Sequence, residues 1–429
     1  MIEVGVASIN ITPPPGLAMA GFAARTECAI GAHDPLSVRA LVVGQTALVT
    51  ADVIGIDAAM SKRVRTSSCL PEEAITIVAT HTHGGPASMQ DRLWNEPDPQ
   101  FLTRLEAGLV EVIGKAAASR RPASLYGGTG AEPGFAKNRR HKDGAVDTGI
   151  PVVRFDDPEG VPFAIFMSYA CHPVVLAADN LLWTADYIHF ARQEVEAAYP
   201  EAIAVFATGC AGDVNTGHSA AGSLTKSGNS QRSFAMAEQI GKGIAKSVAE
   251  TSFKKLGKSV GSAEQFLDLN FQPRETGTGE ELARQYRDAA EQNPGEEFLY
   301  KIWADWARNK KGKNINPLRV RCSALSWGDS VLISLPGEVF AETAIRIRGK
   351  IANGHPVFLL AYADDNPGYI PPESEFEFGG YEIDEAHRFY GLGATFAPGS
   401  AERLERAGQL VAERAAFAAT QQDMGKIQP

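Results

Sequence analysis

The chain has 429 residues, of which 44% are apolar and 21% are charged, as in an ordinary globular protein. This length suffices for one large core or for two domains, and the composition argues against long disordered tracts. The 51 acidic and 41 basic side chains give a net charge of -10, which disfavours nucleic acid and anionic lipid as partners. We therefore expect no nucleic-acid partner and no stable membrane anchoring.

The N-terminal sequence, MIEVGVASINITPPPG, has an acidic residue where a signal peptide has basic ones, and it contains no long apolar run. The most apolar region, residues 41–60, is interrupted by polar side chains and is not expected to span a membrane. The cysteines show neither paired spacing nor a CxxC motif. They are Cys28, Cys69, Cys171, Cys210 and Cys322. These features predict a reduced, cytoplasmic protein.

Short runs rich in Val, Ile and Phe alternate with longer amphipathic segments along the chain. In chain order the predicted strands are 38–44, 47–53, 74–80, 163–169, 203–208, 319–326, 331–335 and 357–361. The predicted helices are 100–118, 187–198, 233–250, 280–292, 339–352 and 401–421. This alternation predicts an α/β fold, with α+β as the alternative, in which helices flank a mixed β-sheet.

Residues 273–317 are polar and helical and lie between two predicted strands. Within them, Phe298, Leu299, Ile302, Trp303 and Trp306 fit one face of a helix. We predict a helical insertion, which either packs on the sheet or caps a pocket. Residues 217–231, rich in Ser, Gly and Asn, are predicted to form a mobile loop.

Several apolar runs end directly in a side chain that can bind metal or transfer a proton. In open α/β sheets, ligands gather at the carboxyl ends of the strands, so these side chains are expected to converge. They are His81 and His83 after the run at 74–80, His172 after 163–169, Asp213 after 203–208, Glu338 after 331–335 and Tyr369 after 357–361.

His81 and His83 form an HxH pair, and alternate side chains of an extended backbone point to the same side. Both imidazoles would then face one metal ion, or one would bind the ion while the other polarises a substrate. The glycines that follow allow the chain to turn sharply and to approach a ligand closely. The competing interpretation is a pair of surface-loop histidines.

The remaining candidates have ordinary structural explanations when each is taken alone. A histidine such as His172 is often buried and hydrogen-bonded to the backbone. Glu338 lies where a strand meets a helix, and the helix dipole favours an anion there. Tyr369 fits an aromatic residue in a turn. Their shared placement after apolar runs favours a functional site.

An ordered set of motifs resembles the neutral/alkaline ceramidase family, specifically its zinc-dependent N-terminal catalytic domain. The set spans residues 4 to 382 of the chain. It comprises VGVASINITPP, HDPLSVRALVV, ATHTHGGP, the NRR at 138–140, YACHPV, GDVN, LPGE, NPGY and GGYE.

The resemblance implies an amide-cleaving enzyme in which zinc-bound hydroxide attacks a carbonyl carbon. The implied zinc ligands are His81, His172, Glu338 and Tyr369. His83, Arg139 and Tyr381 are implied to be catalytic residues that contact the substrate carbonyl oxygen, and His83 would also protonate the leaving amine. Asp213 is implied to be a structural or outer-sphere neighbour of the metal.

The chain also departs from the family pattern. Asn215 stands where family members often have a serine, and the hydroxide mechanism does not need that serine. We expect residues 1–429 to form a single catalytic domain without the C-terminal immunoglobulin-like domain of the family. A small soluble amide is therefore the predicted substrate.

Other functions compete with this prediction. They are a ceramidase-like lipid amidase, a lactone or ester hydrolase, and a metal-containing binding protein without catalysis. A further alternative is acyl transfer with Cys171 or Cys210 as the nucleophile, although buried cysteines are usually inert.

Overall fold

The computed structural model describes residues 1–93, 95–220, 231–313, 315–351 and 354–425. The helices are α1 Ala58–Ser67, α2 Pro99–Ala118, α3 Tyr187–Ala198, α4 Phe234–Ala249, α5 Gly279–Gln292, α6 Glu297–Asn309, α7 Ala341–Ile351 and α8 Ser400–Gly425. Among the described residues, no helix combines the length and apolar character needed to cross a bilayer.

The strands range from two to eleven residues in length. They are β1 Ile2–Asn10, β2 Gly31–Ala32, β3 Ser37–Val43, β4 Thr46–Ala51, β5 Ile75–Ala79, β6 Arg121–Ala131, β7 Lys137–Asn138, β8 Gly149–Asp156, β9 Pro162–Tyr169, β10 Leu182–Trp183, β11 Ile203–Thr208, β12 Val214–Asn215, β13 Lys254–Lys255, β14 Val260–Leu269, β15 Phe271–Gln272, β16 Leu318–Trp327, β17 Ser330–Ser334, β18 Glu338–Val339, β19 Val357–Leu360, β20 Tyr369–Ile370 and β21 Thr395–Phe396.

The main sheet is mixed and has the strand order β11-β9-β8-β6-β1-β3-β4-β5, with β13 paired to β6. Its two outermost pairs, β11 with β9 and β4 with β5, are parallel. The pairs between them are antiparallel. The two parallel pairs place the ends of β5 and β9, which precede His81 and His172, at opposite ends of this strand order.

A second sheet, β14-β16-β17-β19, packs against the main one. Its side chains Trp327, Leu332 and Phe358 share a buried core with Leu41 and Phe166 of the main sheet. The chain then leaves β19 and bridges both ends of the main sheet, because Ala363 pairs with Val78 and Leu360 pairs with Gly209. This crossing draws the ends of β5 and β11 together around the segment that leads to Tyr369.

The predicted fold class is confirmed, since helices flank a mixed sheet as expected. The predicted strands and helices are all present, and most of their ends differ from the predicted ones by one or two residues. Strands β1, β6, β8 and β14, the two-residue strands and helix α1 were not predicted. Of the predicted mobile loop at 217–231, residues 221–230 lie outside the described part of the chain.

Helices α5 and α6 fall within the predicted insertion at 273–317. They pack on each other through a small cluster that contains Leu282, Ala283 and Trp306. The inner face of α6 packs elsewhere: Leu299 and Trp303 share a cluster with Tyr369. The interpretation that the insertion packs on the sheet is therefore wrong, because its apolar face contacts loops around the predicted site.

Candidate metal centre and active site

Three buried side chains from distant segments converge at one point. His81 follows β5, His172 follows β9 and Glu338 begins β18. One ligand atom from each lies within 4.8 Å of the others, and each residue is 1% exposed. Glu338 Oε2 lies 2.9 Å from His172 Nε2 and 3.4 Å from His81 Nε2. Two imidazole nitrogens and one carboxylate oxygen form a donor set suited to a divalent metal ion.

The other nitrogen of each imidazole is held by the backbone. His81 Nδ1 lies 2.6 Å from the carbonyl oxygen of Ile54, and His172 Nδ1 lies 2.5 Å from that of Ala211. A carbonyl oxygen only accepts hydrogen bonds, so both Nδ1 atoms carry the proton and both Nε2 atoms present a lone pair. Burial also lowers the pKa of His172, which keeps this ring neutral. Metal-binding histidines are oriented in this way in proteins.

Two tyrosines complete the surroundings of these ligands. Tyr390 donates a hydrogen bond to Glu338 Oε1, which leaves Oε2 facing the two histidines. Tyr362 stacks on the His81 ring at 4.1 Å between centroids. Sequence reasoning identified neither tyrosine. Tyr362 follows the apolar run of β19 and could have been found by the same rule as His81, whereas nothing in the sequence connects Tyr390 with Glu338.

His83 lies beside the three converging side chains without belonging to them. Its ring centroid is 5.1 Å from that of His81 and 6.4 Å from that of His172. The expected extended HxH backbone is wrong, because His81 has φ = 63° and lies beyond the end of β5. This left-handed conformation turns the two rings into different directions. His81 therefore faces the metal position, while His83 adjoins it.

Both ring nitrogens of His83 are buried and lack a hydrogen-bond partner among the described residues. Burial, together with the neighbouring His81, lowers the pKa of His83 well below its ordinary value. Buried polar atoms are nearly always paired, so two unpaired nitrogens in one ring indicate a partner that binds there. A neutral imidazole in this position can both accept and donate a proton.

Tyr369 and Arg139 lie on the other side of Glu338. Strand β20 pairs with β18 so that Tyr369 stands opposite Glu338. Arg139 Nη2 donates to the Tyr369 hydroxyl at 3.0 Å, and Arg139 Nε donates to Glu382 at 2.8 Å. Burial and the Glu338 charge raise the pKa of Tyr369, while Arg139 opposes that rise. Coordination by Tyr369 as a phenolate would therefore depend on the positive charge of a metal ion.

Tyr381 and Asp213 contribute in different ways. The Tyr381 ring lies 5.8 Å from that of Tyr369, so it borders the same space. Asp213 contacts the framework: its carboxylate accepts hydrogen bonds from the Ala341 amide at 2.8 Å and from Asn138 Nδ2 at 2.7 Å. It thus connects the start of α7 to the residue before Arg139.

Both cysteines proposed as alternative nucleophiles are fully buried. Burial raises the pKa of the Cys171 thiol and of the Cys210 thiol, so both stay protonated at neutral pH. A protonated thiol is a poor nucleophile. The burial and the raised pKa of both thiols therefore argue against acyl transfer through either residue.

An apolar wall adjoins the polar centre. The Phe22 ring packs edge-on against His83 at 4.9 Å, and Phe298 of α6 packs against the small cluster that contains Phe22. Leu299 and Trp303 of α6 continue this surface toward Tyr369. Helix α6 therefore packs its apolar face beside the loops that surround the centre.

The fold and the centre together define an α/β protein with a buried histidine–carboxylate site suited to a divalent metal ion. The profile described as neutral/alkaline non-lysosomal ceramidase, N-terminal, matches residues 2–275. This match covers more than half of the chain, and the chain belongs to that family.

Individual relatives agree with this assignment. A neutral ceramidase of Oryza sativa subsp. japonica is 24% identical over 213 residues, which are 43% of this chain and 27% of the rice protein. The chain thus covers about a quarter of that relative. The crystal structure of neutral ceramidase from Pseudomonas aeruginosa superposes with a TM-score of 0.74 at 18% identity, over 96% of this chain and 75% of that one. A ceramidase complexed with C2 gives a TM-score of 0.75 at 18% identity, over 96% and 76% of the two chains. At this identity the two structures establish a shared fold.

Proposed function

We propose that the protein is a zinc-dependent hydrolase that cleaves the amide bond of an N-acyl substrate. The observation that carries this proposal is the buried set of His81, His172 and Glu338 beside His83, whose ring nitrogens have no hydrogen-bond partner among the described residues. Family membership supports the same chemistry. Two histidines and one glutamate are a set that catalytic zinc uses while keeping positions open for water and substrate.

His81, His172 and Glu338 would hold the ion, with the Tyr369 hydroxyl as a fourth donor. When bound, zinc polarises a carbonyl group and lowers the pKa of a coordinated water molecule. Tyr390 keeps Glu338 oriented through Oε1, and the carbonyls of Ile54 and Ala211 keep the two imidazoles oriented. The protein framework therefore fixes the donors in advance, so little reorganisation accompanies the reaction.

The proton and the developing negative charge would be managed by residues next to these donors. Burial lowers the pKa of His83, and its ring nitrogens have no partner in the described part of the chain, so His83 would accept a proton from the attacking water and return it to the leaving amine. Arg139 and Tyr381 border the same space and are proposed to donate hydrogen bonds to the oxygen of the tetrahedral intermediate. One such donor typically contributes about 3 to 4 kcal/mol to transition-state stability.

The apolar wall of Phe22, Phe298 and Trp303 favours a substrate with an apolar acyl group. The relatives are named ceramidases, so an N-acylated sphingoid base is a candidate beside the small soluble amide predicted from the sequence. Both substrates present the same carbonyl and amide nitrogen to the centre. They differ in the length of the apolar chain that must pass α6.

The first experiment measures zinc by elemental analysis in the wild type and in His172→Ala, Glu338→Ala and His33→Ala. We expect about one zinc per chain in the wild type and in the His33 control, and loss of zinc in the other two. His33 pairs with Asp34 away from the centre and is a suitable control. The metal assignment would be wrong if His172→Ala retained its zinc.

The second experiment offers the zinc-loaded protein N-acyl para-nitroanilides, N-acylsphingosines, and the matching esters and lactones. Release of amine or carboxylate that stops with His83→Ala supports the proposed chemistry. Cleavage of esters and lactones alone would select the alternative hydrolase. Bound zinc without turnover of any of these compounds would favour the binding protein.

A further inference from the structure

Glu382 joins two consecutive arginines at the edge of the centre. Its Oε1 accepts from Arg139 Nε at 2.8 Å, and its Oε2 accepts from Arg140 Nη1 at 2.7 Å. All three side chains are at most 7% exposed. Burying charges is costly unless they are paired with good geometry, so this carboxylate must satisfy two desolvated cations at once.

Arg139 has a second fixed contact, to the hydroxyl of Tyr369 through Nη2 at 3.0 Å. A planar guanidinium held at two of its nitrogens by two different groups cannot rotate about its own axis. The third nitrogen, Nη1, makes no hydrogen bond to the described residues. Among the described residues, Nη1 therefore keeps its two N–H donors unpaired, and their direction depends on the two contacts that fix the plane.

The same carboxylate belongs to the turn that carries Tyr381. Residues Tyr381–Glu385 form a single π-helical turn, a feature that often marks functional sites. The preceding Gly380 has φ = 92°. Arg140 also donates to the backbone carbonyl of Gly379 at 2.8 Å, just before the turn. The two arginines therefore hold this region through the Glu382 side chain and the Gly379 backbone.

We propose that Glu382 is a positioning residue for the reaction. Glu382 orients the Arg139 guanidinium toward the substrate oxygen. Because Glu382 belongs to the same turn as Tyr381, it also links this orientation to the position of Tyr381. The inference rests on the proposed function, because it assigns Arg139 Nη1 to the oxygen of the substrate carbonyl. It adds that the two donors are set together by one carboxylate that touches neither the metal ligands nor the substrate.

Glu375 provides a matched control for the ion pairs of this cluster. It accepts from Arg140 Nε at 2.8 Å and lies 2.9 Å from His141 Nε2, and it makes no hydrogen bond to Arg139. Glu375→Gln therefore removes a carboxylate from the same cluster while the orientation of Arg139 is kept. Glu382→Gln removes the carboxylate that orients Arg139 and preserves the side-chain shape.

The test compares these two variants with the wild type in the hydrolysis of N-acetylsphingosine and of an N-acetyl para-nitroanilide. Glu382→Gln should lower kcat about 10- to 100-fold, as removal of residues that orient metal ligands does, with little change in KM or zinc content. Glu375→Gln should leave kcat near the wild-type value. Equal losses in both variants, or a loss of zinc in Glu382→Gln, would show a structural role and overturn the inference.

A double-mutant cycle with Arg139→Lys tests the proposed route of action. If Glu382 acts through Arg139, Glu382→Gln should cause little further loss of kcat once Arg139 is already replaced. Additive losses would contradict that route. Should Glu382→Gln fail to fold, Glu382→Asp keeps the charge and shortens the reach. Unchanged kcat in folded Glu382→Asp would then overturn the inference.

Binding of acetohydroxamic acid gives a readout that needs no turnover. Its oxygens bind zinc and present a carbonyl group to the same donors. We expect Glu382→Gln to weaken the binding of acetohydroxamic acid about tenfold relative to Glu375→Gln, because Arg139 is no longer held in its orientation. If the wild type cleaves no amide, the proposed function fails, while this comparison still decides the role of Glu382. Equal affinities in the two variants would reject that role.

Discussion

The position of His83 depends on a glycine opposite its ring. Gly21 has φ = 100°, and a Cβ placed there would lie 2.4 Å from two atoms of the His83 ring. Only glycine fits this approach, because any side chain would displace His83 or its own backbone. The free imidazole described above therefore depends on a residue that carries no chemistry of its own.

Gly21→Ala should remove most of the hydrolytic activity while zinc stays bound, because His83 moves and the metal ligands do not. Gly16→Ala is the matched control: Gly16 has φ = 101°, and a Cβ there has no neighbour within 4 Å among the described residues. Both changes should cost about 1–3 kcal/mol of stability from backbone strain. Activity assays beside urea unfolding would separate the two effects. Full activity in Gly21→Ala would contradict this view of His83.

The two buried cysteines should be dispensable for catalysis. The double variant Cys171→Ala, Cys210→Ala is expected to keep the wild-type kcat, because both thiols are protonated and enclosed. Some loss of stability is expected from the removed sulfur atoms. Turnover would be measured with the para-nitroanilide substrates. Complete loss of turnover in a folded double variant would contradict this expectation and favour acyl transfer with a cysteine nucleophile.

At the scale of elements, α6 is expected to set the preference for acyl-chain length. Trp303 is 9% exposed, joins the cluster that contains Tyr369, and has no hydrogen-bond partner for its indole nitrogen among the described residues. Trp303→Ala should cost about 3–5 kcal/mol of stability through the cavity that it leaves. Trp303→Phe should cost less, because it keeps a ring and removes an unpaired N–H donor.

The same pair of variants tests substrate selection. Trp303→Ala should change the ratio of kcat/KM between long-chain and short-chain N-acylsphingosines, whereas Trp303→Phe should preserve it. This ratio cancels any general loss of active protein. An unchanged ratio in folded Trp303→Ala would mean that α6 stabilises the loops without contacting the acyl chain.

Helix α3 begins at a carboxylate with an altered pKa. Asp186 accepts hydrogen bonds from the Tyr187 and Leu176 amides, and burial, with a contribution from Asp34, raises its pKa from 3.8 to about 6. The folded protein therefore binds this proton more tightly than the unfolded chain does. The contribution of Asp186 to stability falls as pH rises from about 4 to 6, by up to about 3 kcal/mol.

Asp186→Asn replaces the titrating group with a neutral one of the same shape. The variant loses one of the two accepted amide hydrogen bonds at every pH, because the Asn side chain has a single acceptor oxygen. Its stability relative to the wild type should still rise by up to about 3 kcal/mol between pH 4 and about pH 7, where the wild-type carboxylate is charged. Urea unfolding of both proteins across this range measures the difference. A stability difference that is the same at every pH would show that the pKa of Asp186 is not raised in the folded protein.

The sequence predicted strands that are buried on both faces better than strands that contain glycine, proline or exposed polar residues. Strands with continuous apolar runs, such as β5 and β11, were found because both faces are buried. Strand β6 was missed because it contains Pro122 and several glycines. A Cβ at its Gly128 would lie 2.4 Å from Thr251, so close packing requires a residue that weakens the strand signal. Strand β14 was missed because several of its side chains are polar and partly exposed.

The candidate site shows a similar division. The rule that polar residues follow apolar strands selected six residues: His81, His83, His172, Asp213, Glu338 and Tyr369. The structure brings His81, His172 and Glu338 together at one point and pairs Tyr369 with Glu338 along the backbone. That rule cannot report a residue whose role depends on tertiary contact alone. Tyr390 lies 52 residues from Glu338, and Glu382 lies 243 residues from Arg139.

At the scale of the whole molecule, the proposed metal ion ties distant parts of the chain together. His81 follows the main sheet at β5, His172 follows it at β9, and Glu338 follows the second sheet. An ion that binds the folded state stabilises it by about 2.7 kcal/mol at a free concentration of 100 times Kd. The midpoint of thermal unfolding should therefore rise with added zinc.

This rise should be absent in His81→Ala, which loses one donor, and present in His33→Ala. Differential scanning calorimetry with and without zinc would compare the three proteins. A chelator should lower the unfolding midpoint of the zinc-loaded wild type, and it should leave the midpoint of His81→Ala unchanged. An equal rise in all three proteins would indicate zinc binding elsewhere on the surface.

The carbonyl oxygens of Ile54 and Ala211 also prepare the centre to receive an ion. Because they hold both imidazole rings in place, an arriving ion meets donors that need no rearrangement. After zinc is removed by a chelator, the folded apoprotein should then bind cobalt without denaturant. The cobalt form would provide a visible spectrum that follows each ligand substitution directly, and an optical signal for events at the centre during turnover.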